Sequence, residues 1–163
     1  MIRYFENGDL FSSNADALVN TVNCKGVMGK GIALQFKKKF PECFVLYKEA
    51  CNNCNLNPGK LMYIRNEILP ADMIAKRPGI ILFPTKIHWK DKSKLEWIDI
   101  GLYFLKQHYK VWKLTSVAMP QLGCGLGGLN WNDVKSLISN YFSQEDLLVE
   151  VYYSTPTFSC HKL

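Results

Sequence analysis

No apolar run in the 163 residues approaches the length of a membrane-spanning helix, so no transmembrane span is expected. The opening Met1-Ile2-Arg3-Tyr4-Phe5-Glu6-Asn7-Gly8-Asp9 is not a signal-peptide pattern, and a cytoplasmic protein without membrane association is the expectation. Internal repeats and low-complexity segments are absent. No Ser or Thr follows a Gly-Lys step, which excludes a P-loop, and the glycine spacing fits no dinucleotide fingerprint. Neither a His-x-x-x-His pair nor a carboxylate cluster is present, so no catalytic metal is expected. Acidic residues are scarce: 14 Asp and Glu face 20 Lys and Arg, a net charge of +6. That balance favours a polyanionic partner.

Six cysteines remain to be explained, at positions 24, 43, 51, 54, 124 and 160. Without a secretory signal they read as free thiols rather than disulfides. Cys51-Asn52-Asn53-Cys54 has the spacing of half a zinc site, but only Cys160 and His161 could complete it, and no structural zinc is expected. Cys24 and Cys124 have no histidine–carboxylate partner nearby in sequence, so they read as small packing residues rather than nucleophiles.

What the chain has is glycine, concentrated in two places. Asn20-Thr21-Val22-Asn23-Cys24-Lys25-Gly26-Val27-Met28-Gly29-Lys30-Gly31 and Gly123-Cys124-Gly125-Leu126-Gly127-Gly128 each follow an apolar run and lead into a helical pattern. Glycine permits positive φ and close backbone approach, so two strand–loop–helix junctions of this kind suggest paired anion cradles. A ligand with a diphosphate held between them is the simplest reading.

Apolar and β-branched runs predict strands at 2–6, 17–22, 60–64, 79–83, 114–119 and 147–153. Helical periodicity covers 31–40, 41–51, 93–108 and 131–142, with Pro41 suited to a first helical turn and Ser93 and Glu96 forming a capping-box pattern. Residues 66–79 read as a loop and 154–163 as a tail. Strands alternating with helices imply one α/β domain with a largely parallel sheet, whose ligands bind at the carboxyl edge of the strands. Both glycine loops and the end of the strand at Phe83–Lys86 would then meet in one crevice.

Two lysine clusters carry much of the excess charge. Lys37-Lys38-Lys39 suits either a solvated helix end complementing the macrodipole or a binding patch. Lys86, Lys90, Lys92 and Lys94 are interleaved with His88 and Trp89, a mixture that suits bases and phosphates. The alternative for Trp89 is packing over the helix that follows.

Gly8-Asp9, Asn20-Thr21-Val22-Asn23, the Gly26–Gly31 loop and Pro120-Gln121-Leu122-Gly123-Cys124-Gly125-Leu126-Gly127-Gly128-Leu129-Asn130-Trp131 together resemble the macrodomain family, an ADP-ribose-binding fold. The resemblance runs in matching order through residues 1–153. Within the family, Gly26–Phe36 and Phe83-Pro84-Thr85-Lys86-Ile87-His88-Trp89 are similar to the DarG group. DarG proteins are antitoxins that remove ADP-ribose from thymidine bases in DNA and oppose the transferase DarT.

This resemblance implies a three-layer α/β/α fold with a central mixed, largely parallel sheet. It implies that Asp9, with Leu10 beside it, accepts the adenine amino group, and that Gly29, Gly31 and Ile32 present backbone to the pyrophosphate. Pro120, Gly123, Cys124, Gly125, Leu126 and Gly127 would enclose phosphate and distal ribose. Asn23 would hydrogen-bond that ribose at the scissile carbon, and Lys86 matches the family's catalytic lysine. His88 and Trp89 are candidate contacts to base or DNA. A related branch that cleaves ADP-ribose from acidic side chains pairs the lysine with an aspartate, and Gly127 occupies the matching position here. The implied activity is therefore metal-independent hydrolysis of ADP-ribosylated single-stranded DNA by a monomer, with ADP-ribose as ligand, no cofactor and a DarT-type toxin as counterpart. Hydrolysis of protein esters and non-catalytic ADP-ribose reading are the alternatives. Full antitoxins carry a further C-terminal region, so these 163 residues are expected to be an excised domain or a stand-alone relative.

Overall fold

The computed structural model describes residues 1–65 and 77–155. Its elements, in chain order, are β1 (Ile2–Glu6), a 3-10 turn (Leu10–Ser12), β2 (Ala17–Val22), α1 (Gly31–Lys39), α2 (Pro41–Asn52) and β3 (Met62–Ile64). They continue with β4 (Gly79–Pro84), α3 (Leu95–His108), β5 (Ser116–Pro120), α4 (Trp131–Phe142) and β6 (Leu148–Tyr153). The strands form one six-stranded sheet in the order β1-β6-β5-β2-β4-β3. Every neighbouring pair is parallel except β3 with β4.

The central strands are apolar at all positions but Asn20, Thr21 and Ser116, because both faces are covered. Ala17 and Val19 of β2, Ile81 and Phe83 of β4, and Val117 and Met119 of β5 join a core with Ile98, Leu102 and Leu105 of α3 and Val134, Ile138 and Phe142 of α4. The alternate residues Leu18, Val22, Ile80, Leu82 and Ala118 join a second core with Phe36 of α1 and Cys43, Tyr47 and Ala50 of α2. The result is the expected three-layer α/β/α arrangement with a mixed, largely parallel sheet. Parallel strands β1, β2, β4, β5 and β6 bring five carboxyl ends to one edge.

Several boundaries differ from the sequence reading. Ser93 does not cap α3: Lys94 is the flanking residue and makes no side-chain cap, while the Ser93 N–H donates to the Gly127 carbonyl at 3.0 Å. Tertiary recruitment of Ser93 by the second glycine loop outcompetes the local capping box. β5 begins at Ser116 rather than Leu114, because the Asp16 carboxylate takes the N–H groups of Thr115 and Ser116 and holds the chain entering the strand. β3 is confined to Met62–Ile64, and Lys60 instead closes a bridge with Asn57. Most of the loop expected at 66–79, and most of the tail expected after 153, lie outside the described residues.

Five cysteines are free thiols, and Cys160 lies outside the described residues. Among the described residues, no helix is long and apolar enough to cross a membrane. No group of three or more His, Cys, Asp or Glu residues gathers there as a set of metal ligands.

Candidate active site

The carboxyl edge of the sheet opens into a cleft of about 1050 Å³. Asn7 to Leu10 after β1, Asn23 after β2, Thr85 and Lys86 after β4, Pro120, Gln121, Gly123 and Gly125 to Gly127 around the end of β5, and Tyr152 to Ser154 closing β6 all contribute to its lining. The two glycine loops are thus opposite contributions to one site.

The first loop is organised by Asn23, which is 8% exposed. Its Oδ1 accepts from the N–H groups of Lys25 (2.9 Å) and Val27 (3.4 Å) and from the Tyr47 hydroxyl (2.9 Å), and its Nδ2 donates to the Val27 carbonyl (2.7 Å). Backbone donors fix the orientation of this amide. One Nδ2 hydrogen is left to offer to a ligand. The loop then runs into α1, whose Lys30 makes no side-chain cap. The first-turn N–H groups therefore lack intrahelical partners, and the positive end of the helix dipole lies at the cleft.

The second loop turns at Gly123 (φ 69°) and Gly128 (φ 76°), where non-glycine residues would be strained. Its turns are closed by Leu129 N–H to Gly123 carbonyl (3.0 Å) and Gly128 N–H to Gly125 carbonyl (3.1 Å). Gly127 is required for a different reason. A Cβ there would collide with the Gly123 carbonyl oxygen and with Ser93 Oγ. No side chain, and hence no carboxylate, fits at 127 without rebuilding the loop.

Lys86 stands one residue beyond Thr85 at the end of β4. The β2–β4 pairing continues past both strands, through Thr85 N–H to Val22 carbonyl and Cys24 N–H to Ile87 carbonyl, each 2.9 Å. The Cys24 thiol adds a bond to the Lys86 carbonyl at 3.4 Å. Burial, then the nearby Lys92 charge, push the Lys86 ammonium below the ordinary lysine range, opposed by Asp91. Burial pushes the Cys24 thiol up to about 11, which suits packing rather than nucleophilic attack.

Asp9 caps the 3-10 turn: its Oδ1 accepts from the Phe11 N–H at 3.0 Å. Among the described residues it is the one carboxylate on a lining that also holds Lys30, Lys86 and Lys90. The cleft is electropositive and suited to an anion.

Of the residues singled out from the sequence, Asp9, Leu10, Asn23, Gly29, Gly31, Ile32, Lys86, Trp89, Pro120, Gly123, Gly125, Leu126 and Gly127 all line this cleft. Cys124 and His88 do not. Cys124 turns its half-buried side chain against the α3–α4 core, with its thiol pushed up to about 11 by burial. His88 is held in a turn, its Nδ1 accepting from the Lys90 N–H at 3.2 Å. Tyr152 was not singled out, though the carboxyl end of a parallel strand is where such a residue belongs. Its ring stacks on Phe5 at 4.8 Å and 12°, and its hydroxyl donates to Glu150 at 3.0 Å.

The model of the Macro domain matches residues 19–138, and the chain belongs to that family. It is 45% identical over 144 residues to the DNA ADP-ribosyl glycohydrolase of Mycobacterium tuberculosis, an alignment covering 88% of this chain and 39% of that protein. The chain thus spans about two fifths of that relative's length. Among solved structures, the macrodomain of Mycobacterium tuberculosis DarG superposes with a TM-score of 0.85 at 43% identity, covering 96% of this chain and 99% of that one. Thermosipho africanus DarTG in complex with ADP-ribose superposes at 0.83 with 37% identity, covering 90% of this chain and 40% of that one.

Proposed function

We propose that the chain is an ADP-ribosyl glycohydrolase that removes ADP-ribose from thymidine bases in DNA, reversing the modification made by a DarT-type transferase. Residues 1–153 are the catalytic domain in this reading and 154–163 a tail outside it. Such a substrate agrees with the cytoplasmic compartment expected from the sequence. The observation that carries the reading is the placement of Lys86 on the cleft shared by both glycine loops, in a lining that excludes a carboxylate at Gly127. The names of the relatives agree with it.

Asp9 would accept the adenine amino group through the carboxylate oxygen that Phe11 leaves free. The first turn of α1, from Gly31 and Ile32, and the turn at Gly123–Gly127 would cradle the diphosphate and distal ribose. The remaining Nδ2 hydrogen of Asn23 would hold that ribose at its reacting carbon. Cleavage of the N-glycosidic bond places positive charge on this carbon and negative charge on the departing thymine. A protonated Lys86 stabilises the base and gives it a proton, while water adds to the ribose carbon and returns a proton to the lysine. A neutral Lys86 would instead attack the ribose carbon as its bond to thymine breaks, the amine's surplus proton passing to the departing base. Water would then hydrolyse the lysine adduct to release ADP-ribose and restore the amine.

Side-by-side incubation with thymidine-linked ADP-ribose in single-stranded DNA and glutamate-linked ADP-ribose in a peptide tests the reading. Release of ADP-ribose from the DNA is expected. Release from the peptide alone would overturn it, and release from neither with ADP-ribose still bound would identify a reader.

A further inference from the structure

Exposed apolar side chains sit on the three segments that border the cleft. Val27 of the first loop, Ile87 and Trp89 after β4, and Leu126 of the second loop are all large hydrophobics left in water. Trp89 is 47% exposed and Leu126 62%. Val27, Trp89 and Leu126 line the cleft, together with Lys30 and Lys90. Apolar surface clustered this way marks a binding site rather than scattered exposure.

The segment carrying Trp89 is built to hold its shape. At one end the Ile87 carbonyl accepts from the first loop's Cys24 N–H, and at the other the Ser93 N–H donates to the second loop's Gly127. Inside, the His88 N–H donates to Asp91 Oδ2 at 2.9 Å, and the Asp91 N–H returns to the His88 carbonyl at 3.0 Å. The His88 ring stacks on Trp89 at 5.1 Å, and Lys90 Nζ sits 4.9 Å from the Trp89 ring centre. A half-exposed indole is thereby presented on a fixed turn with a cation beside it.

We propose that this rim is a platform for single-stranded DNA flanking the modified nucleotide, with Trp89 stacking an unpaired base and Lys90 meeting a backbone phosphate. The proposal rests on the DNA reading above and names the part of that substrate which the ADP-ribose cradle does not touch. A π-face beside a cation suits bases and phosphates in alternation. Bases in a duplex are already stacked and do not offer that face, so the platform selects single strands.

The test measures binding of a short unmodified single-stranded oligodeoxynucleotide by fluorescence anisotropy, beside ADP-ribose affinity by calorimetry. Trp89→Ala is expected to weaken oligonucleotide binding by about tenfold, the scale of one base–aromatic stack, and ADP-ribose binding far less. Trp89→Phe should restore part of the loss. In turnover, Trp89→Ala should lose more on an ADP-ribosylated oligonucleotide than on ADP-ribosylated thymidine alone. Unchanged oligonucleotide binding in Trp89→Ala, or equal loss of oligonucleotide and ADP-ribose, overturns the platform. Cleavage of glutamate-linked ADP-ribose alone would defeat the activity reading, while oligonucleotide binding would still decide the platform.

Discussion

Tyr47 is fully buried beneath the first loop, and its hydroxyl lies 2.9 Å from both the carbonyl oxygen and Oδ1 of Asn23. Replacing it by Phe leaves those acceptors short of a donor, at a cost of about 1–3 kcal/mol. Thermal unfolding should show the loss, and calorimetry a weaker grip on ADP-ribose, because the loop proposed to bind it is loosened. Gly127→Ala should cost a similar amount, about 1–3 kcal/mol, since its Cβ meets a backbone carbonyl that cannot swing away. Its melting temperature and its ADP-ribose affinity should fall together; a variant with both unchanged would remove the steric argument for the missing carboxylate. Lys86→Met separates chemistry from folding. Turnover should fall about a hundredfold or more, the scale of losing one charge-stabilising group. Stability at neutral pH should hold, because burial disfavours the ammonium. The folded state binds its proton less tightly than the unfolded chain. Wild type therefore gains stability relative to Lys86→Met as pH rises from the depressed value towards that of an ordinary lysine. The pH dependence of kcat/KM separates the two chemical routes. Loss of activity as Lys86 deprotonates supports the proton donor, and a rise supports the nucleophile.

At the scale of elements, β4 and α3 meet through Gly101, where a Cβ would collide with the Phe83 ring. Gly101→Ala improves helix propensity by about 1 kcal/mol, yet it should lower the melting temperature, because overpacking in a close-packed core outweighs that gain. β4 is also the strand that delivers Lys86, so some loss of turnover should accompany it. Elements of this kind were the most legible in the sequence: β2 and β4 are buried on both faces, and their runs are apolar at every position but Asn20 and Thr21. Their exact starts were less so. The start of β5 depends on Asp16, about a hundred residues away in sequence, and the start of α3 depends on Ser93 binding Gly127. Local propensity carries no record of such partners.

For the whole molecule, the net charge of +6 and the lysines of the cleft predict that association with the proposed DNA substrate weakens with salt through counterion release. Raising ionic strength should depress turnover of ADP-ribosylated DNA at low substrate more steeply than it depresses binding of ADP-ribose. Equal slopes would mean that the strand itself makes no ionic contact. The pieces of the cleft are far apart in the chain, from Asn7 to Ser154, and parallel strand pairing alone brings them to one edge. Glycine loops and strands were readable from sequence because each is a local pattern of backbone freedom or an apolar run, whereas Lys86 stood out from the other lysines only through the family resemblance. Tyr152 was not readable as a lining residue, because that depends on which face the strand presents. Cys124 packs against the core, as its reading as a small packing residue had it, rather than on the cleft where the resemblance placed it. That glycine stands at 127 is plain from the sequence by itself. That nothing larger fits there was decided by the tertiary structure, where the Gly123 carbonyl and Ser93 fill the space a side chain would need.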